Sequence, residues 1–214
     1  LRDMEEYYTL WVHQIKTPIA AMSLLLQEED TPENGELSME LFHIEQYVEM
    51  VLQYLRLESP DPDLAIRSVE VDSCVRQAVR KYARSFIRKK IALDFHETGM
   101  EVVTDEKWLV FVLGQLLSNA LKYTKKGTIR IYGKDGFLSI EDTGIGITAE
   151  DLPRIFEKGY TGYNGRLDKK STGIGLYLCQ KVLKKLGHGI TITSVPGKGT
   201  KAVLRFVQEK REYD

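Results

Sequence analysis

The fold assignment rests on the stretch SIEDTGIGI, Ser139–Ile147. Its first residues predict a β-strand, and that strand delivers Asp142 and then Gly144 and Gly146. A carboxylate at the end of a strand can accept a hydrogen bond from an exocyclic amine such as that of adenine, and glycine lets the backbone approach a flat base. Alone, this pattern is just as typical of a tight turn, so its interpretation depends on the segments that accompany it.

A second stretch, STGIGLYL at Ser171–Leu178, places Gly173 and Gly175 at the start of a predicted helix. The free N–H groups and the dipole at a helix N-terminus attract anions, and glycine removes the side chains that would keep a phosphate away. An ordinary helix start has the same appearance, so this stretch also leaves two interpretations open.

A third stretch, GQLLSNALKY at Gly114–Tyr123, carries polar residues on one face of a helix that is otherwise largely apolar. This polar stripe must therefore face either solvent or a ligand. An asparagine carbonyl is a hard oxygen ligand of the kind that Mg²⁺ accepts. A lysine on the same face could meet the charge of a phosphate, and a tyrosine could pack on a base. The stripe consists of Gln115, Asn119, Lys122 and Tyr123.

In this order and spacing, the three stretches resemble the N, G1 and G2 boxes of the GHKL ATP-binding fold, which histidine kinases, type II topoisomerases, Hsp90 and MutL share. The segment RIFEKGY, Arg154–Tyr160, resembles the F box of the histidine kinases and narrows the family. The resemblance covers about Val69 to Val207.

This resemblance implies ATP and Mg²⁺ as cofactors, with adenine on Asp142 and Mg²⁺ on Asn119. The sequence departs from the family at Gln115, because many histidine kinases have a second asparagine at this position. Glutamine is longer than asparagine by one methylene. The full set of nucleotide-binding residues that it implies is Asn119, Lys122, Tyr123, Asp142, Gly144, Gly146, Ile147, Thr172, Gly173, Gly175 and Leu176.

The resemblance also implies a mobile ATP lid over Gly159–Ser171. Three basic lid residues are expected either to touch phosphate or to form a solvated charge run. They are Arg166, Lys169 and Lys170.

The rest of the C-terminal half mixes strands and helices and predicts an α/β sandwich with helices on one face of a mixed sheet. Asp72 and Asp105 are the predicted N-caps of two helices. Asp135-Gly136 predicts a hairpin turn, and a last hairpin is expected around VPGKGT, Val195–Thr200.

The N-terminal part carries two heptad stripes, each about 20 residues long, which predict two helices. The segment EEDTPENGE, 28–36, is the predicted loop between them. Two helices cannot enclose a core alone, so the expected assembly is a homodimer with a four-helix bundle. The stripes are Tyr8, Val12, Ile15, Ile19, Met22 and Leu26, and then Leu37, Leu41, Ile44, Val48, Val51 and Leu55.

Charge supports a division into two modules. Residues 1–65 contain 14 acidic and 3 basic residues, whereas the remainder contains 17 acidic and 27 basic residues. The net charge of −1 indicates no bulk attraction to nucleic acid. The overall expectation is an α+β chain with a helical dimerisation domain over 1–60, a linker over 61–68 and an α/β-sandwich ATP-binding domain over 69–214. The two cysteines lack metal-ligand spacing and predict reduced core thiols.

The stretch HQIKTP, His13–Pro18, resembles the H box of a dimerisation and phosphotransfer domain, in which the histidine attacks ATP. Pro18 costs a helix interior about 3 kcal/mol, and we expect it to bend the helix near His13. Gln14 stands where relatives usually place an acid and is expected to orient the imidazole without acting as a base. By the same resemblance, Thr17 orients a water for the reverse, phosphatase reaction.

The whole chain therefore resembles the catalytic core of a sensor histidine kinase, most closely the intramembrane-sensing kinases of bacitracin-resistance type. Such a core autophosphorylates His13 from Mg-ATP and passes the phosphoryl group to an aspartate of a response regulator receiver domain. A GHKL-type ATPase and a nucleotide-binding scaffold without phosphotransfer are the alternatives.

Because the chain starts at Leu1, it is expected to be the cytoplasmic portion of a longer bacterial cell-membrane protein. The preceding part would connect it to a sensor module or a membrane transporter. No nucleic acid partner is expected.

Overall fold

The structure, a computed structural model, describes residues 2–29, 31–58, 64–162 and 172–207, with the side chains of residues 2–10 and 13 left out. The chain divides into two compact units, Leu1–Asp63 and Leu64–Asp214. Within the described residues, no helix combines the length and the apolar character needed to cross a bilayer.

The first unit is a helical hairpin made of α1 (Arg2–Leu25) and α2 (Pro32–Glu58). Both heptad stripes lie on these helices, as predicted, except that Leu26 follows the last residue of α1. Val12 of α1 packs against Val48 and Leu52 of α2 in a small apolar cluster. This cluster joins the two helices at the level of the HQIKTP stretch.

The loop of the hairpin is shorter than the predicted 28–36, because α2 already begins at Pro32. The Thr31 hydroxyl accepts a hydrogen bond from Asn34 N at 3.1 Å and caps the helix. Pro32 suits the first helical position, where its missing N–H costs no hydrogen bond. Gly35, which falls within the predicted loop, is consequently a helical residue.

Half of the apolar stripe of α2 is not covered within the hairpin. Leu37, Ile44 and Val51 follow one another at seven-residue intervals and are 55%, 46% and 42% exposed. Leu41 and Val48, on the neighbouring line of the stripe, are buried. The first unit therefore presents a continuous apolar line that its own two helices do not fill.

The second unit alternates strands and helices. Its elements are β1 (Ile66–Glu70), α3 (Val71–Lys89), β2 (Ala92–Phe95), β3 (Glu101–Asp105), α4 (Glu106–Tyr123), β4 (Thr128–Lys134), β5 (Phe137–Asp142), a 3-10 turn (Leu152–Arg154), α5 (Gly175–Lys185), β6 (Gly189–Val195) and β7 (Gly199–Arg205). The predicted hairpins are confirmed as β4–β5 and β6–β7.

The main sheet has the strand order β2-β4-β5-β7-β6, in which β2 runs parallel to β4 and the other neighbours are antiparallel. This is the mixed sheet that the sequence predicts. β1 and β3 form a separate two-stranded sheet, which the sequence did not predict.

One face of the main sheet is apolar and buried, with Ile129, Ile131 and Leu138 fully enclosed. The helices α3, α4 and α5 supply the other half of this core, including the enclosed side chains of Leu109, Leu113 and Leu183. The opposite face carries charges of alternating sign in register across the strands. These are Asp94, Arg130, Glu141 and Lys201. Among the described residues of the second unit, the helices thus lie on the apolar face of the sheet, as predicted.

Both predicted capping aspartates are buried, but only Asp105 caps a helix. Asp105 Oδ1 accepts a hydrogen bond from Trp108 N at 3.0 Å, and its Oδ2 accepts one from Ala65 N at 2.8 Å. Asp72 lies one residue inside α3, which begins at Val71. Its predicted capping role is therefore wrong.

The Asp72 carboxylate instead holds the loop between β2 and β3. It accepts hydrogen bonds from Thr98 N at 2.9 Å, Thr98 Oγ1 at 2.8 Å and Gly99 N at 2.8 Å. Burial alone would raise the pKa of Asp72, but these hydrogen bonds and the nearby Arg76 together lower it. Asp72 is thus a structural anchor that was not recognisable from the sequence.

The predicted linker and the two cysteines can also be compared with the structure. Residues 66–68 of the predicted linker 61–68 belong to β1. Cys74 and Cys179 are free and buried, as expected for core thiols, and burial raises the pKa of Cys74 to about 12.

Candidate functional site

Asp142 ends β5 and is 8% exposed. Its Oδ1 accepts hydrogen bonds from Gly144 N at 2.8 Å and Thr200 N at 3.3 Å, while Oδ2 accepts none from the described residues. Burial raises the pKa of the Asp142 carboxyl, although the two amides oppose this effect. The side chain is thus held through one oxygen, and the other remains available for a ligand.

The glycines that follow Asp142 allow close backbone contact. A Cβ atom at Gly144 would lie 2.6 Å from Tyr123 O and 2.7 Å from Asp142 Oδ1. Gly146 has φ +72°, and a Cβ there would lie 2.3 Å from Val195 O. Neither position has room for a side chain, so both glycines are required by geometry.

The glycine loop is also tied to the elements on either side of it. Ile145 N donates to Tyr123 O at 3.1 Å, at the end of α4, and Ile145 O accepts from Gly197 N at 2.8 Å. Ile147 N donates to Ser194 Oγ at 2.8 Å. The loop is consequently fixed between α4 and the β6–β7 hairpin.

The four residues of the polar stripe, Gln115, Asn119, Lys122 and Tyr123, are all half-buried on α4. The Asn119 side chain makes no hydrogen bond to another described residue. Lys122 Nζ lies 5.6 Å from the centroid of the Tyr123 ring. The structure thus keeps the stripe together on the helix that ends beside Asp142.

The start of α5 lies close to this stripe. A Cβ atom at Gly175 would be 2.9 Å from Gln115 Oε1. The first N–H groups of a helix have no partners inside the helix, so the start of α5 can bind an anion. Thr172 is exposed and Leu176 is half-buried on either side of this point.

Gly173 adopts φ +66°, and a Cβ there would lie 2.4 Å from the carbonyl carbon of Gly159. Gly159 N donates to Gly173 O at 3.0 Å. The two ends of the stretch 159–173 are therefore joined. The lid residues Arg166, Lys169, Lys170 and Ser171 lie outside the described residues.

The RIFEKGY segment forms a small polar cluster. The Tyr160 hydroxyl donates to Asp151 Oδ1 at 2.5 Å, and the Arg154 guanidinium lies 4.2 Å from the Tyr160 ring centroid. Ile155 is buried beneath them. Asp151 was missed from the sequence, because a lone aspartate before a proline-containing turn carries no distinctive signal.

The HQIKTP stretch lies on α1 of the first unit. The backbone of His13 is helical, while its side chain lies outside the described part of the structure. Gln14, Thr17 and Pro18 are exposed. α1 continues through Pro18 to Leu25, and the bend near His13 stays a prediction.

The structure adds two site residues that the sequence analysis did not single out. Thr200 lies directly opposite Asp142 in the β5–β7 register and donates to its carboxylate. Thr124, which follows α4, is fully buried near the same carboxylate. Only the strand register and the packing reveal these neighbours, since both lie far from Asp142 in the sequence.

Comparison with known proteins places the second unit in a family. The family model described as histidine kinase-, DNA gyrase B-, and HSP90-like ATPase matches residues 104–210. The chain is 35% identical over 212 residues to sensor histidine kinase YxdK of Bacillus subtilis, which covers 94% of this chain and 64% of that protein. It is 37% identical over 205 residues to sensor protein BceS of Halalkalibacterium halodurans. That alignment covers 93% of this chain and 61% of that protein.

Among solved structures, full-length ShkA in complex with AMPPNP matches 95% of this chain and 47% of its own, with a TM-score of 0.63 and 21% identity. This likeness supports the fold. The chain spans less than two thirds of the length of the two sequence relatives.

Proposed function

Because the chain belongs to the family of histidine kinase-, DNA gyrase B-, and HSP90-like ATPases, we propose that it is the catalytic core of a sensor histidine kinase. The second unit binds ATP, and the first carries the histidine that becomes phosphorylated, His13. The observation that supports this most is the fixed carboxylate of Asp142, one oxygen of which accepts no hydrogen bond from another described residue. The sensor kinase relatives favour the kinase branch of the family over the gyrase and HSP90 branches.

We assign the exocyclic amine of adenine to Asp142 Oδ2. A carboxylate accepts hydrogen bonds and does not donate them, so an ionised Asp142 selects a base that presents an amine. The backbone at Gly144 and Gly146 passes close enough to other backbone to exclude side chains. These contacts fix the position of the loop that lies beside the Asp142 carboxylate.

We assign the phosphates to the start of α5. Gly173 and Gly175 remove side chains from the first free N–H groups there, and the helix dipole favours negative charge. Lys122 of α4 supplies a positive charge on the polar stripe. The amide oxygen of Gln115 lies close to Gly175, so α4 and this helix start are neighbours.

The side chain of Asn119 fits a magnesium ligand. It is half-buried, offers a hard carbonyl oxygen and makes no hydrogen bond to another described residue. When bound, Mg²⁺ neutralises charge on the phosphates that are being transferred. The contribution of the chain itself is to hold the triphosphate in place.

We propose that His13 is the nucleophile. An unperturbed imidazole has a pKa of about 6.5, so it is mostly neutral near pH 7 and one ring nitrogen can attack the γ-phosphorus. The new N–P bond forms as the bond to the bridging oxygen breaks, and ADP leaves. The phosphoryl group then passes to an aspartate of a response regulator receiver domain.

Two neighbours of His13 receive separate roles. The Gln14 carbonyl accepts a hydrogen bond from the imidazole without taking its proton, because an amide is neutral. Thr17 lies one helical turn further on the same face and orients the water that hydrolyses the phosphorylated regulator. The forward and reverse reactions thus depend on different side chains.

We further propose that the first unit forms a homodimer through the exposed line Leu37, Ile44 and Val51. A second copy would supply the four-helix bundle that covers this line. By likeness to the sensor kinases, the chain is the cytoplasmic portion of a bacterial cell-membrane protein, and its preceding part would contact a sensor module or a transporter.

Incubation with γ-labelled ATP tests the proposal. A histidine kinase becomes labelled, and the label is lost in acid but retained in alkali. A GHKL-type ATPase releases labelled phosphate without labelling itself, and a scaffold consumes no ATP. Either of these two results would replace the kinase proposal.

A further inference from the structure

Thr124 is a buried hydroxyl whose hydrogen bonding needs an explanation. Its side chain is 0% exposed, and its Oγ1 has no hydrogen-bond partner among the described residues. A buried hydroxyl without a hydrogen-bond partner destabilises a protein, because it has lost its hydrogen bonds to water. Such a group therefore points to a role in binding rather than in the fold alone.

The hydroxyl lies beside the base-binding carboxylate. The position of a Cβ atom on Gly144 would be 2.9 Å from Thr124 Oγ1 and 2.7 Å from Asp142 Oδ1. Both oxygens thus lie within 3 Å of one point. The hydroxyl lies close enough to the Asp142 carboxylate to oppose the effect of burial on its pKa, but its geometry falls short of a hydrogen bond.

The backbone holds Thr124 in this place. Thr124 N donates to Ala120 O at 3.0 Å and closes the last turn of α4. The preceding carbonyl, Tyr123 O, accepts from Ile145 N of the glycine loop at 3.1 Å. Helix α4 and the glycine loop are thus joined at Tyr123, the residue directly before the one that carries the hydroxyl.

We propose that Thr124 is a positioning residue of the base site: its hydroxyl donates a hydrogen bond to the Asp142 carboxylate when adenine is bound, which leaves Oδ2 aimed at the exocyclic amine. This inference rests on the proposed function, since it assumes that the site binds ATP. It adds a residue from the end of α4 to the recognition of the base.

This hydrogen bond would help to keep the Asp142 carboxylate ionised. An ionised Asp142 accepts from the amine more strongly than a protonated one does, and burial favours its protonated form. Glu141, on the same strand, is the neighbouring charge and raises the pKa further. The neighbours from the other elements, Thr200 on β7 and Thr124 after α4, are uncharged donors, so losing Thr124 removes one of few groups that keep the carboxylate ionised.

Binding of a non-hydrolysable ATP analogue to the 214-residue chain, measured by calorimetry from pH 5 to pH 8, tests this. Thr124→Val keeps the shape and removes the hydroxyl, whereas Thr124→Ser keeps the hydroxyl and removes a methyl. We expect Thr124→Val to weaken binding roughly five- to tenfold at low pH and less at pH 8. In Thr124→Val, the pH below which the affinity falls should be higher than in the wild type. Thr124→Ser should keep the wild-type dependence of affinity on pH. Thermal unfolding of each variant shows whether it is folded.

The corresponding inosine nucleotide, which lacks the amine, provides a second readout. Thr124→Val should reduce the preference for the adenine form over the inosine form. Equal affinity and an unchanged pH profile in Thr124→Val would overturn the inference, as would a loss in Thr124→Ser equal to that in Thr124→Val. A wild-type chain that binds no ATP analogue would instead overturn the proposed function.

Discussion

Gly159 N–H donates to the carbonyl of Gly173 at 3.0 Å, so the two ends of the stretch 159–173 meet at the start of α5. Gly173 has φ +66°, and a Cβ there would lie 2.4 Å from Gly159 backbone. The contact tolerates no side chain. It therefore fixes the positions of both ends of this stretch beside the proposed phosphate site.

Gly173→Ala should push the backbone at residue 173 away from Gly159 and so displace the start of α5. We expect binding of an ATP analogue to weaken roughly tenfold, which is about 1.4 kcal/mol. Gly187→Ala is a matched control, because Gly187 has φ +76° but nothing within 4 Å of its Cβ position. Both variants carry the strain of a left-handed alanine, but only Gly173→Ala adds the clash. Calorimetry that finds the same affinity in the two variants would show that the junction does not shape the site.

Asp142→Asn should weaken the ATP analogue by roughly 10- to 150-fold, the range for a lost hydrogen bond to a charged group of about 1.5–3 kcal/mol. The amide keeps one carbonyl oxygen and can turn a donor toward the amine. Asp135→Asn, in the exposed β4–β5 turn with φ 53°, should bind as the wild type does. Unchanged affinity in Asp142→Asn would reduce Asp142 to a turn residue.

Asp72→Asn should lower the free energy of unfolding of the second unit by about 1–3 kcal/mol near pH 7, because a buried carboxylate with several donors becomes a neutral amide. The pKa of Asp72 is lowered in the folded state, so its stabilisation is present above the unfolded pKa of about 4. It is lost as the pH falls below that value. The difference between the two proteins in urea unfolding should therefore shrink toward pH 3.

Asp94→Asn is the comparison for that experiment. Asp94 pairs with Arg130 at 2.8 Å on the exposed sheet face, where ion pairs contribute little. We expect only a small change in unfolding free energy at any pH. A loss as large as that of Asp72→Asn would contradict the distinction between the buried anchor and the surface pair.

Ile44→Lys should dissociate the proposed dimer, since it places a charge at the centre of the exposed apolar line of α2. Sedimentation at micromolar concentration should report about twice the monomer mass of 24.5 kDa for the wild type and the monomer mass for the variant. Ile87→Lys changes a 77% exposed isoleucine on α3 and should leave the mass unchanged. A monomeric wild type would remove the basis for phosphotransfer on a four-helix bundle.

Residue periodicity and turn chemistry predicted most of the elements. The seven-residue repeats gave both helices of the first unit, and Asp135-Gly136 marked the β4–β5 turn. The cap at Asp105 was recognisable because its partner, Trp108 N, is only three residues away. Local signals of this kind are present in the sequence itself.

Contacts between distant residues were beyond that reasoning. Asp72 has the sequence signature of a cap, but its partners Thr98 and Gly99 lie 26 and 27 residues further along the chain. Thr200 lies 58 residues after Asp142 in the chain and reaches it through the register of β5 and β7. The resemblance supplied Asp142 itself, while only the packing showed that Thr124 stands next to it.

The central claim is that His13 receives the γ-phosphate of ATP, and mapping the label tests it most directly. The wild type, His13→Gln and His43→Gln should be compared, since His43 is a second histidine of the same unit on α2. Each is incubated with γ-labelled ATP and Mg²⁺, and ATP-analogue binding is measured in parallel. We predict acid-labile labelling of the wild type and His43→Gln, and none of His13→Gln, with nucleotide binding intact in all three. Undiminished labelling of His13→Gln would contradict the account.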